Sequence, residues 1–224
     1  MILGNYFGID IIDIIKSYVI YKPKTNKELR ESILFWNSNK NLALEKYGDI
    51  SIWNVSLIDD MSELFKDLHN FNDNITTWNV SNVKKMDYMF QYCGKFNQDL
   101  SNWDVSNVTS MIGIFYRCKR FNQDLSKWDV SNVEDMNMMF LHCREFNYSL
   151  NNWDVSNVTN MRYMFYGCSN FNKPLNNWNV ERVVNMQSMF KDCLQFNQDI
   201  DCWITDNLIY SDNMFGRSRD IFLP

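Results

Sequence analysis

FNQDLSKWDVSNVEDMNMMFLHCRE (residues 121–145) is followed directly by FNYSLNNWDVSNVTNMRYMFYGCSN (residues 146–170), and the reading of this 25-residue unit decides the fold. Seven of the eight tryptophans, Trp53, Trp78, Trp103, Trp128, Trp153, Trp178 and Trp203, stand 25 residues apart. The other apolar positions keep step with them. Around Trp128 they are Phe121, Leu125, Val130, Val133, Met136, Met139, Phe140 and Cys143, and equivalents recur along the chain. An internal repeat of this length marks units that each bury too little to fold alone and gain a continuous core by stacking on their neighbours.

Within one unit, Trp103 and Val105 alternate with Asn102 and Asp104, which predicts a short strand. Val108, Met111, Ile114 and Phe115 then fall at i, i+3, i+6 and i+7, a helical spacing, with Ser106 placed as an N-cap. Strand–helix units in series require parallel pairing and right-handed crossovers. Stacked strands sit about 4.8 Å apart, whereas packed helices need roughly 8–10 Å, so the stack should bend with its strands inside. The expected fold is an α/β solenoid. It is a leucine-rich-repeat-like right-handed coil of seven 25-residue units, with short parallel strands concave, short helices convex and a helical N-terminal cap. The expected boundaries are 1–50 for the cap, 51–215 for the repeats and 216–224 for a C-terminal tail. In the cap, a helix is expected over 6–20. Thr25 and Glu28 form a capping-box pattern ahead of Leu29–Trp36, and a short helix over Asn41–Tyr47 should stop at Gly48.

Composition narrows the function. The 224 residues are 46% apolar and 16% aromatic, with a formal net charge of −5, which suits a folded domain and argues against nucleic-acid binding by counterion release. No apolar run is long enough for a membrane span, and Asp10 and Asp13 interrupt the N-terminal apolar stretch, so neither a transmembrane segment nor a secretory signal is expected. Five of the six cysteines, Cys93, Cys118, Cys143, Cys168 and Cys193, share one repeat position that Leu68 fills in the first unit. That equivalence reads as free buried thiols in a reducing, cytoplasmic setting, and a line of thiols is no tetrahedral metal site. The asparagines that follow phenylalanine, Asn72 to Asn197, should form a ladder satisfying turn backbone. His69 and His142 stand on different units, no serine is matched by a histidine, and no nucleotide or metalloprotease motif is present. Neither enzyme chemistry nor a cofactor is expected.

What remains is the outward-facing polar positions beside each tryptophan. One row reads Asn79, Asp104, Asp129, Asp154 and Asn179; its neighbour reads Asn102, Lys127, Asn152 and Asn177. Stacked carboxylates repel. The rows are either a solvated face with its aspartates bonded to nearby amides, or an acidic-polar groove for a basic partner or a cation. On the second reading, these nine residues are the candidate partner-binding site of a protein–protein interaction scaffold.

The unit Phe121–Phe140, with its pattern F-N-x-x-L-x-x-W-D-V-S-N-V-x-x-M-x-x-M-F, resembles the BspA-like leucine-rich-repeat surface proteins. It is closest to their branch first described as a mycoplasma-lipoprotein repeat of unknown function, and the pattern spans 51–215. The resemblance implies a non-enzymatic binding solenoid, often at a cell surface, and so offers an adhesin as the alternative to a cytoplasmic module. Separately, Gly8–Val19 resembles the first helix of an F-box, which would make the chain an adaptor.

Overall fold

Residues 20–216 are described in a computed structural model. Helix α1 (Asn26–Ser38) starts where the capping box places it, with the Thr25 hydroxyl accepting from the Glu28 amide at 3.1 Å. The reciprocal bond is shifted by one residue, since the Glu28 carboxylate accepts from the Lys24 amide at 2.8 Å. Helix α2 (Lys40–Tyr47) stops at Gly48, whose φ of 71° lies in the left-handed region open to glycine. Leu29, Ile33, Trp36 and Ala43 form the buried side of this helical pair. The helix expected over 6–20, the F-box-like stretch and the tail from 217 onward lie outside the described residues.

Beyond a short 3₁₀ turn at Ile50–Ile52, the described residues contain no further helix and no β-strand. This overturns the α/β solenoid: the inner strands and outer helices of a leucine-rich-repeat layout do not form, and the coils are built from turns. The segment expected to be a strand, Trp103–Val105, makes no backbone hydrogen bond to another coil. The segment expected to be a helix carries the parallel pairing instead. It takes the form of isolated bridges through Asp60, Lys85, Ser110, Asp135, Asn160, Asn185 and Tyr210, one residue per coil.

The reason lies in the apolar period. From Val108 through Met111, Ile114, Cys118 and Phe121 the spacing is three residues with a single extra step. An α-helix needs a mean of 3.6, and a pattern of threes walks around its surface. Threes do fit consecutive β-turns. The amides of Val108, Ile114, Cys118 and Phe121 donate to the carbonyls of Val105, Met111, Phe115 and Cys118 at 2.9, 3.3, 2.8 and 3.0 Å. Each such turn begins and ends on a core residue, so every corner of the coil turns one apolar side chain inward.

Alternate amides then hold the coils together. Those of Met61, Glu63, Phe65 and Asp67 donate to the carbonyls of Lys85, Asp87, Met89 and Gln91 in the next coil at 2.8–2.9 Å. Those between them, on Leu64, Lys66 and Leu68, close turns onto Met61, Glu63 and Phe65 at 3.0–3.2 Å. This alternation puts the third residue of a turn in the left-handed region, as in a type II turn. It does so twice per coil: Glu63 (φ 58°) and Asp67 (φ 65°), then Tyr88 and Tyr92, and so on. Most of these residues are not glycine, so the strain is carried by the inter-coil bonds. Glycine appears where a neighbour needs the room. A Cβ on Gly113 would lie 2.7 Å from the Tyr88 ring, and one on Gly167 would lie 2.2 Å from His142 Nδ1.

With no helices, the conflict between strand and helix spacing does not arise, and identical side chains stack. Phe90, Phe115 and Phe140 form one column with ring centres 5.8 and 5.7 Å apart. Phe96, Phe121 and Phe146 form a second at 6.1 Å, and Phe115 joins the two columns through Phe121 at 4.0 Å. From Trp78 to Trp203 the indole N–H of each coil crosses to the turn 28 residues before it, as Trp128 does to the Leu100 carbonyl at 2.9 Å. The thiols do the same: Cys143 Sγ donates to the Phe115 carbonyl at 2.9 Å. Leu68 takes this position in the first coil, which has no coil beneath it to offer that carbonyl. There α1 closes the open carbonyl edge. Asn26 Nδ2 donates to the Asp60 carbonyl at 2.6 Å, and Arg30 reaches the carbonyls of Glu63 and, at 2.8 Å, Leu64.

Candidate functional site

The nine polar residues singled out beside the tryptophans are all exposed. They are set by Asx turns and not by strands. Asp104 Oδ1 accepts from the Ser106 amide at 3.1 Å and its hydroxyl at 2.6 Å; Asp129 holds Ser131 at the same two distances. Asp154 accepts from the Ser156 amide at 3.0 Å, Asn79 from that of Ser81 at 3.1 Å, and Asn179 from that of Glu181 at 3.1 Å. Ser106 is therefore a donor within a turn, where a helix N-cap was expected. The serine hydroxyl, and then the amide, hold the carboxyls of Asp104 and Asp154 below the usual range, so both stay ionised at neutral pH. One carboxylate oxygen is committed to the turn. The other, on Asp104, Asp129 and Asp154 alike, has no protein partner among the described residues.

The structure gathers four of the nine into one place. Asn152, Asp154, Asn177 and Asn179 line an open hollow of about 340 Å³ with Asn151 and Trp153. Asn151 braces it, accepting from the Asn177 amide at 3.0 Å and donating to Asn176 Oδ1 at 3.1 Å. Asn79, Asn102, Asp104, Lys127 and Asp129 continue the same two rows on earlier coils, outside the hollow.

The asparagines after phenylalanine form the expected ladder: the amides of Asn97, Asn122, Asn147 and Asn172 each donate to the Oδ1 of the residue one coil before, at 2.8–3.0 Å. A second ladder escaped the sequence reading. Asn82, Asn107, Asn132 and Asn157 donate side-chain N–H to the carbonyls of Ser56, Ser81, Ser106 and Ser131 at 2.7–2.8 Å. Its signal was the Ser-Asn pair repeated in four successive units, at 81–82, 106–107, 131–132 and 156–157, since mere solubility does not need the same side chain each time. The five repeat cysteines are free and buried. Burial pushes the Cys93 thiol up to about 12 and raises the other four as well, which keeps them protonated and unreactive at neutral pH.

Also missed was a ridge of tyrosines and cations at and beside the left-handed turn positions. Tyr88, Tyr92, Tyr116, Tyr163 and Tyr166 are all half-buried. The Arg117 guanidinium lies 5.2 Å from the Tyr92 ring and 5.7 Å from Tyr116, while Arg162 lies 4.5 Å from Tyr163. These positions vary from coil to coil, so a repeat-based reading discards them as filler.

Among the described residues, no helix is long and apolar enough to cross a membrane, and no group of three or more His, Cys, Asp or Glu side chains could hold a metal ion. No curated protein and no solved structure matches the chain. Residues 32–151, and again residues 124–221, match the family described as Mycoplasma protein of unknown function, DUF285. The matches run from within α1 through the last coil, over the repeats whose turns carry every residue discussed above, and the chain belongs to that family.

Proposed function

We propose that the protein is a non-enzymatic protein–protein interaction scaffold that holds a partner against its Asn/Asp face. The observation that carries this reading is the row Asp104, Asp129 and Asp154. Three exposed carboxylates are fixed in register by their own turns, each with one oxygen turned away from protein donors. A side chain locked by its own backbone loses little entropy when it binds, and a line of like charges lowers its repulsion by meeting a cationic partner. The partner is accordingly a basic protein segment, and the working location is the cytoplasm.

The test is triple charge reversal, D104K/D129K/D154K, with affinity capture from the native host beside the wild type. The variant should melt within a few degrees of the wild type and lose the basic proteins that the wild type retains. An unchanged set of captured proteins would remove this face from the reading. The family match, together with the likeness of the repeat to BspA-like surface proteins, favours a second reading as a surface adhesin. Recovery of the native protein in the cytosolic fraction alone would count against it.

A further inference from the structure

We propose that the seam running from Lys95 to Arg144, beside the tyrosine ridge, binds an acidic peptide segment of a partner protein, separately from the Asn/Asp face. Lys95, Lys119, Arg120 and Arg144 are exposed, and Arg117 is half-buried among them. The backbone fixes them as neighbours. The Lys95 amide donates to the His69 carbonyl at 3.2 Å, the Glu145 amide to Lys119 at 3.3 Å and the Asn170 amide to Arg144 at 3.3 Å, so this corner of successive coils is stitched into one strip. Among the described residues, none of these five cations, nor Lys191 beside them, takes part in an ion pair. Arg117 Nε is buried without a hydrogen-bond partner. In a chain of net charge −5, this local excess of unpaired cations is a departure from the whole.

Three of these cations, Arg117, Lys119 and Arg144, lie close enough to His142 to act on it together. Burial first, and then Arg117 and Arg144, lower its proton affinity, with Lys119 acting in the same sense and Asp192 against it. Beside them, Tyr92 and Tyr116 lie 5.2 Å apart with Arg117 against both rings. Arginine and tyrosine together are the side chains that most often anchor protein partners, and guanidinium groups take carboxylates in a forked pair of hydrogen bonds. The strip also includes Glu145, with Asp67 and Asp192 on its flanks. A polyanion charged at every step would be repelled by these carboxylates, whereas a peptide can alternate carboxylates with apolar side chains that lie on the tyrosines.

The experiment is fluorescence anisotropy of the full chain with a labelled peptide alternating Glu and Leu, and with the same peptide carrying Lys for Glu. The Glu peptide should bind, more weakly as salt rises, and the Lys peptide should not. K119E/R120E/R144E changes only exposed side chains and should weaken the Glu peptide by about tenfold or more. The milder K119Q/R144Q keeps the test open if the triple variant unfolds, and should weaken binding in the same direction. D104K/D129K/D154K should not weaken it, which separates this surface from the Asn/Asp face. The proposal is overturned if the Glu peptide does not bind, if the Lys peptide binds equally, or if K119Q/R144Q binds like the wild type. Tighter binding by heparin or single-stranded DNA than by the Glu peptide would overturn it too, by assigning the seam to another class of polyanion.

Discussion

Helix α1 and the coils it rests on satisfy the same backbone groups by different routes. In α1 each interior amide finds its acceptor one turn back in its own segment, and the end is closed by Thr25 and Glu28. In the coils, along the arc from Met61 to Asp67 and its equivalents, every second amide is sent to the neighbouring coil, as from Met61 to Lys85 and from Glu63 to Asp87. A helix of this kind is stabilised largely by what it contains. A coil of this kind is stabilised by what lies above and below it, and its left-handed residues persist only because those outside bonds hold them.

The sharpest way to break the contrast is to open the core between coils. W128A removes a buried indole and its bond to the Leu100 carbonyl, and should cost about 3–5 kcal/mol in urea unfolding, felt across several coils rather than one. Next comes the strained backbone. G167A must place a Cβ against His142 at a φ of 71° and should lose about 1–3 kcal/mol. G94A should be nearly neutral in the same assay, since its new Cβ meets nothing closer than 3.9 Å. On the helical side, T25A deletes the cap and should cost about 1 kcal/mol, read as local loss of amide protection at the start of α1. If T25A and W128A spread equally far through the molecule by hydrogen exchange, the distinction between the two regions fails.

The smallest effect is electrostatic. Burial, more than any other influence, raises the carboxyl of Asp135 above its usual range, although it accepts from the Asn137 amide at 2.7 Å and from Asn160 at 3.1 Å. A raised carboxyl lowers stability at neutral pH, and that cost is relieved as pH falls through the folded-state value. D135N should therefore stabilise the protein by about 0.5 kcal/mol at neutral pH, with the gain vanishing in acid. Thermal melts across pH check this. Asp104 and Asp154 work the other way: their lowered carboxyls add stability that is present at neutral pH and lost as pH falls through their folded values.

Much of this was legible. Alternating Asn102, Asp104 and Lys127 against the tryptophans marked them as outward, and they are exposed. The Thr25 cap and the Gly48 stop were readable because capping is local chemistry. The errors lay between Trp103 and Phe115: a polar–apolar alternation over three residues suits an Asx turn as well as a strand, and apolar residues three and four apart suit a helical face as well as linked turns. Continuing the count to Cys118 and Phe121 would have favoured threes. The Arg117–Tyr92 ridge stayed hidden because its positions hold no constant residue from unit to unit.

By itself, the sequence determined which residues go inside and which residue of one unit lies on which residue of the next, because a 25-residue period of bulky side chains can be buried only in register. The tertiary structure alone decided the path of the chain between those residues. Whether the amide of Glu63 bonds within its own coil or to the coil above depends on an acceptor, Asp87, that is brought alongside only when the stack has formed.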